Sequence, residues 1–143
     1  TLLEVMVVVI ILGMIAGIVT QVVTGRVARA RVETAKVQMH EIMDALEFFY
    51  QDHHFYPSTE QGLKALVEKP NDDRIQNYPK NGYLKAVPRD PWGNKFEYVS
   101  PGSHGQYDLI CYGRDGKQGG KGPDADIKSW NIYEQGGTDS ENK

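Results

Sequence analysis

The chain opens with TLLEVMVVVIILGMIAGIVTQVV, an apolar stretch whose one ionisable side chain is Glu4. About 20 such residues, wound as a helix, cross a hydrocarbon core of ~30 Å. A helix apolar on every face has to be enclosed by a protein core or by lipid. The rest of a 143-residue chain is too small to enclose it. A cleavable signal peptide would place basic residues before its apolar core and a small-residue cleavage site after it. No Lys or Arg precedes this run, and no such site follows. The stretch therefore reads as a membrane span. A carboxylate within a span costs roughly 2.5 kcal/mol or more unless it finds a partner. Packing alone calls for no charge there, so Glu4 is expected to meet a positive group inside a membrane assembly.

The helical pattern does not stop at residue 23. Ala28, Val32, Ala35, Met39, Ile42, Leu46 and Phe49 recur at spacings of 4, 3, 4, 3, 4 and 3, one continuous helical face. Polar residues such as Arg29, Glu33, Lys36, Gln38, Glu41 and Asp44 fill the positions between. One helix over residues 2–52 is predicted, apolar all round in its first half and amphipathic in its second. A coiled-coil seam is the rival reading of the stripe, but its alanines and short extent favour packing on a small domain. Arg26, Arg29 and Arg31 lie just past the apolar run, where cations meet lipid headgroups. Gly13, Gly17 and Gly25 weaken the helix locally, and small residues also admit close helix–helix approach. The division is a membrane or filament-core segment, residues 1–25, and a globular head, residues 26–143, which includes the second half of the helix.

Asp52-His53-His54-Phe55-Tyr56-Pro57 ends the long helix, because the residue before a proline is biased away from helix. Ser58 or Thr59 can cap a second, short helix that presents Leu63, Leu66 and Val67, and Pro70 closes it. Residues 71–82 are polar and turn-rich. Strand signals follow: a short one at Tyr83-Leu84, an alternating one at Lys95-Phe96-Glu97-Tyr98-Val99, and an apolar one over residues 107–112 that suits a central strand. Ser103-His104-Gly105 serves as the hairpin loop. The tail from Gly113, rich in Gly and Asp, is expected to build little core. The fold class is α+β: a long helix packed against a small antiparallel sheet.

With a formal net charge of −3, the chain has no electrostatic basis for a general nucleic-acid role. Cys111 is the single cysteine, so no intramolecular disulfide can form, and a small buried strand residue is the plain reading of it. No nucleophile elbow, phosphate loop or dinucleotide fingerprint occurs. His53 and His54 are adjacent and point apart, while His40 and His104 stand isolated in sequence. Asp90-Pro91-Trp92-Gly93-Asn94 reads as a turn with Trp92 anchored in the core. An enzyme is the weak hypothesis.

The stretch from Gly113 through Ile127 places Asp115, Asp124 and Asp126 in a glycine-rich loop. Calcium takes roughly 6–8 oxygen ligands, mixing carboxylates with backbone carbonyls, and it tolerates irregular geometry better than magnesium does. The spacing is not that of an EF-hand, and one partial match to a β-helix repeat does not make a β-helix. The residues alone leave two readings: a calcium-type site and a solvated acidic turn.

TLLEVMVVVIILG resembles the processed N-terminus of type IV pilin-like proteins. Three further stretches narrow the resemblance: Phe55-Tyr56-Pro57-Ser58-Thr59-Glu60-Gln61-Gly62-Leu63, Pro88-Arg89-Asp90-Pro91-Trp92-Gly93-Asn94, and Gly113-Arg114-Asp115-Gly116 through Asp124-Ala125-Asp126-Ile127. Together they resemble the major pseudopilins of bacterial type II secretion systems over essentially the whole chain. The resemblance implies a structural subunit, single-pass in the bacterial inner membrane with its head in the periplasm. It implies that a prepilin peptidase removes a short basic leader and that the new terminus is methylated. Subunits would then form a homopolymer, a helical pseudopilus, together with minor pseudopilins and an inner-membrane assembly platform. Glu4 would pair with the terminal amine of a neighbouring subunit. The head would bind one Ca2+ through Asp115, Asp124, Asp126 and a carbonyl near Tyr112. Many relatives carry a proline where this chain has Thr20-Gln21, so any melting of the helix in a filament would fall on Gly13 and Gly17. A type IV pilus pilin is the alternative, disfavoured because most such pilins carry a cysteine pair near the C-terminus. A membrane-anchored periplasmic enzyme is a third reading, without a catalytic constellation behind it.

Overall fold

A computed structural model describes residues 1–132 and, for residues 20–22, the backbone alone. The long helix forms as α1, Leu2–His53, and runs unbroken through Gly13, Gly17 and Gly25. His54 ends it in the left-handed conformation, at φ 62°, with its amide donating to the carbonyl of Tyr50 at 2.7 Å. Pro57, three residues on, keeps the chain from resuming the helix.

The two halves of α1 have opposite surroundings. Along its apolar first half, Leu2, Leu3, Ile10, Leu12, Met14 and Ile18 all stand exposed. In the second half the predicted stripe is the core face. Ala35, Met39, Ile42, Leu46 and Phe49 are completely buried, and Val32 is partly buried against them. At ~25 cal/mol per Å2 of apolar surface removed from water, burying each of the large side chains contributes about 1.5–3 kcal/mol before entropy is counted.

Three connections depart from the sequence expectation. Ser58 and Gln61 do exchange hydrogen bonds as a helix start would: the Gln61 amide donates to Ser58 Oγ at 3.2 Å, and the Ser58 amide to Gln61 Oε1 at 2.9 Å. Gly62, at φ 60° and ψ −169°, then turns the chain out of helix, and only the 3-10 turn Leu63–Leu66 follows. Leu63 and Leu66 are buried as expected. Tyr83-Leu84 is not a strand. Both amides donate to the carbonyl of Leu66, at 2.7 and 2.9 Å, so the segment crosses the end of the 3-10 turn. It gets there through Gly82, where a Cβ would stand 2.7 Å from the Val67 carbonyl oxygen.

The third departure is a strand in the Gly/Asp-rich tail. The sheet has three antiparallel strands in the order β1 (Glu97–Val99), β2 (Asp108–Cys111) and β3 (Ile127–Lys128). The pair expected from the sequence is present with Tyr98 opposite Leu109, and the stretch expected to be central is central. The added strand sets Ile127 opposite Cys111. Ile127 and Ile132 are buried, so the tail does build core. Just past β3, the Ser129 amide donates to the Leu109 carbonyl at 2.9 Å, and the Ser129 Oγ accepts from the Leu109 amide at 3.1 Å. The β1–β2 loop closes on the buried Asp108 carboxylate, which accepts the amides of Ser103 at 2.9 Å and His104 at 3.1 Å.

Candidate functional site

Two features carry functional information: the bare half of α1 and the loop between β2 and β3. On the arm, Glu4 is exposed, with Oε2 3.3 Å from the amine of Thr1. Among the described residues no side chain of the head pairs with it, and by length and composition the arm is apolar enough to span a membrane. In lipid, a glutamate on an otherwise apolar surface is costly unless a partner answers it.

The loop leaves β2 beside the Asp-Pro-Trp-Gly-Asn turn. Asp90 is buried, and its Oδ1 accepts the amides of Trp92 at 3.0 Å and Asn94 at 2.7 Å. Trp92 packs partly buried against the core, as the sequence suggested. Asn94 then faces the loop: its Nδ2 lies 3.4 Å from the Gly113 carbonyl, and a Cβ on Gly116 would meet the Asn94 side chain. At the loop's return, a Cβ on Gly120 would stand 2.5 Å from the carbonyl oxygen of Asp124. Only glycine lets the two arms approach that closely.

The four residues expected at a calcium site sit as follows. Asp126 is buried and turned into the loop, with Oδ2 accepting the Gly119 amide at 2.9 Å. Asp124 is half-buried, and both of its oxygens are taken by Arg114, from Nε and from Nη2, at 2.8 Å each. That guanidinium holds the Asp124 carboxyl below the usual carboxylate range. Asp115 is exposed and accepts the amide of Lys117 at 3.1 Å, closing a local turn. Tyr112 is half-buried, and its hydroxyl donates to Glu97. The oxygen-rich donor set suits a hard cation, and the loop folds back on itself as a cation-binding loop must. The side chains are held apart, however. Among the described residues no three His, Cys, Asp or Glu side chains gather into a metal cluster. The residues fit calcium in chemistry, and Asp115 and Asp124 would have to turn to join Asp126 around one ion.

Sequence reasoning passed over Arg114 and the pairing of His104. The His104 Nδ1 lies 3.1 Å from Asp108, and its ring stacks flat on Trp130, centroids 3.8 Å apart. Asp108 is only four residues from His104, but Asp124 is ten residues from Arg114 and Trp130 is farther still from His104, so the fold reveals those contacts.

A long helix that leaves its apolar half exposed and packs its amphipathic half on a small antiparallel sheet is a pilin-like fold. The family described as "Type II secretion system (T2SS), protein G" matches residues 22–130. The chain belongs to that family. It is 45% identical to the type II secretion system core protein G of Vibrio cholerae over 134 residues, covering 94% of this chain and 92% of that one. The corresponding protein of Pseudomonas aeruginosa is 48% identical over 131 residues, covering 91% of this chain and 92% of that one. The crystal structure of the major pseudopilin from the type 2 secretion system of enterohaemorrhagic Escherichia coli superposes with a TM-score of 0.64 at 31% identity, covering 76% of this chain and 93% of that one. By their names these relatives are core proteins of type II secretion systems, one of them a major pseudopilin.

Proposed function

We propose that this chain is the major structural subunit of a type II secretion pseudopilus, a homopolymer that drives protein export. The observation that carries this reading is the unbroken α1, which joins an uncovered apolar arm to a folded head. Such an arm has two stable surroundings: lipid before assembly and a bundle of identical arms after it. A helix of that length and composition fits a single-pass anchor. The head then lies on the periplasmic side, with Arg26, Arg29 and Arg31 at the membrane boundary. In the bundle Glu4 pairs with the terminal amine of a neighbouring copy after a prepilin peptidase has removed the leader and the terminus has been methylated. Minor pseudopilins and an inner-membrane platform are the other partners.

The proposal extends to one Ca2+ held by Asp115, Asp124, Asp126 and the carbonyl of Tyr112. The ion would supply a fixed double positive charge to a loop that carries three carboxylates and little apolar surface. What supports this reading is that Asp126 is buried, with its Oδ2 accepting the Gly119 amide, and that the close-packed glycine arms keep the loop's span short.

The test of the main reading is Glu4→Ala in cells that depend on the chain for export. The variant should still insert in the membrane while filaments and exported protein fall sharply. Normal filaments from the variant would overturn the assembly role of Glu4. Export that proceeds without this chain would overturn the function itself.

A further inference from the structure

We propose that Arg114 is a built-in counter-ion of the aspartate loop, and that it sets calcium affinity by competing with the metal for Asp124. This rests on the reading of the loop as a calcium site. The planar guanidinium engages both oxygens of Asp124 as a fork, Nε on Oδ1 and Nη2 on Oδ2, each at 2.8 Å. Such two-point pairing is the most directional contact a carboxylate makes with a side chain. The backbone repeats the link, since the Arg114 amide donates to the Pro123 carbonyl at 2.9 Å. Arg114 therefore ties the outgoing arm of the loop to the returning arm.

A divalent cation on Asp124 cannot share that carboxylate without cost. It either displaces the guanidinium or sits beside a second positive charge at hydrogen-bonding range. Lys117 and Lys121, also on this loop, add positive charge nearby, whereas Asp115 and Asp126 draw the cation in. Arg114 is the one cation of the three that holds a proposed ligand through both its oxygens. Two effects follow. The Arg114–Asp124 pair by itself links the two arms of the loop, so less ordering is left to calcium. Binding also begins by breaking an ion pair, so affinity is lower than the carboxylates alone would give.

The sign of the effect separates this role from ordinary loop support. If Arg114 only props the loop, removing it disorders the ligands and weakens calcium. If Arg114 competes, removing it tightens calcium even as the metal-free protein becomes less stable. The experiment is calorimetric titration of the full chain in detergent with calcium chloride, alongside thermal melts in calcium and in chelator. The proteins are the parent, Arg114→Ala, and Arg114→Gln, which keeps most of the stem and packing. Both variants should bind calcium about two- to fivefold more tightly, the span expected for an exposed ion pair. Both should melt lower than the parent in chelator. Unchanged or weaker binding by both variants, with the parent binding normally, overturns the competition and leaves the calcium site standing. A parent that takes up no calcium overturns the site itself, and with it the role given to Arg114.

Discussion

The Sγ of Cys111 lies 3.5 Å from Oδ2 of Asp90, and this contact fastens the central strand to the Asp-Pro-Trp-Gly-Asn turn 21 residues earlier in the chain. Asp90 spends its other oxygen on the amides of Trp92 and Asn94. Asn94 in turn reaches the loop at Gly113. One buried carboxylate thus sets the shape of the turn, and the turn supports the start of the aspartate loop.

Removing that carboxylate leaves two amides in a half-buried turn without their acceptor. Asp90→Ala should cost about 2–3 kcal/mol, the penalty of unsatisfied donors plus the lost packing. Urea denaturation of the full chain in detergent measures it. Asp90→Asn keeps an acceptor for the amides and should cost less. Equal losses in the two variants would show that charge, not shape, matters there.

Burial pushes the Cys111 thiol up to about 12, and the neighbouring Asp90 carboxylate adds to the shift. At pH 8 the thiolate fraction in the folded protein is then far below about one per cent. Iodoacetamide should leave Cys111 unmodified over hours in buffer and label it promptly in urea, as mass spectrometry would record. Labelling at equal rates in both conditions would contradict the buried placement.

Burial alone would raise the Asp108 carboxyl, but hydrogen bonds from the Ser103 amide and from His104 outweigh it, and the net shift is downward from 3.8. A carboxyl depressed on folding binds its proton more weakly in the folded state. Its stabilisation is present above the unfolded value and is lost as pH falls through the folded one. Asp72, held down by Arg74, acts in the same direction. The urea midpoint should therefore fall as pH drops below about 4. Asp108→Asn should lower the midpoint at pH 7 and flatten the acid limb. A parent-like acid limb in that variant would assign the effect elsewhere.

If the loop takes calcium as proposed, chelator should lower the melting temperature of the parent by several degrees, since a ligand that binds only the folded state stabilises it by mass action. Asp126→Ala and Asp115→Ala should melt alike with and without chelator. A chelator response kept in full by both variants would remove these carboxylates from the site.

The long helix and its core face were legible because a single period of 3.6 runs through Ala35, Met39, Ile42, Leu46 and Phe49 without contradiction. The central hairpin was legible because alternation and turn residues agree there. β3 was hidden: two residues carry no period, and Ile127 follows a run of glycine and aspartate that argues for loop. The helix expected after Ser58 had its start signal, but Gly62 overrode it with a backbone angle that the pattern of Leu63, Leu66 and Val67 does not disclose. In the loop the candidate ligands could be named from composition. Which of them face inward could not, because that turns on Arg114 reaching Asp124 and on Asn94 reaching Gly113, contacts fixed by tertiary folding.

Because α1 carries both the arm and the core face without a break, the head has no hinge of its own. At 52 residues the helix is a rod of ~78 Å, and each residue advances it by ~1.5 Å and turns it by ~100°. Residue number alone therefore fixes both how far the head stands from the arm and which way it looks. Deleting one residue between Val23 and Ala28 would swing the whole head by about a quarter-turn while barely changing its height. The compass bearing of the head about its arm is thus written in the length of this rod.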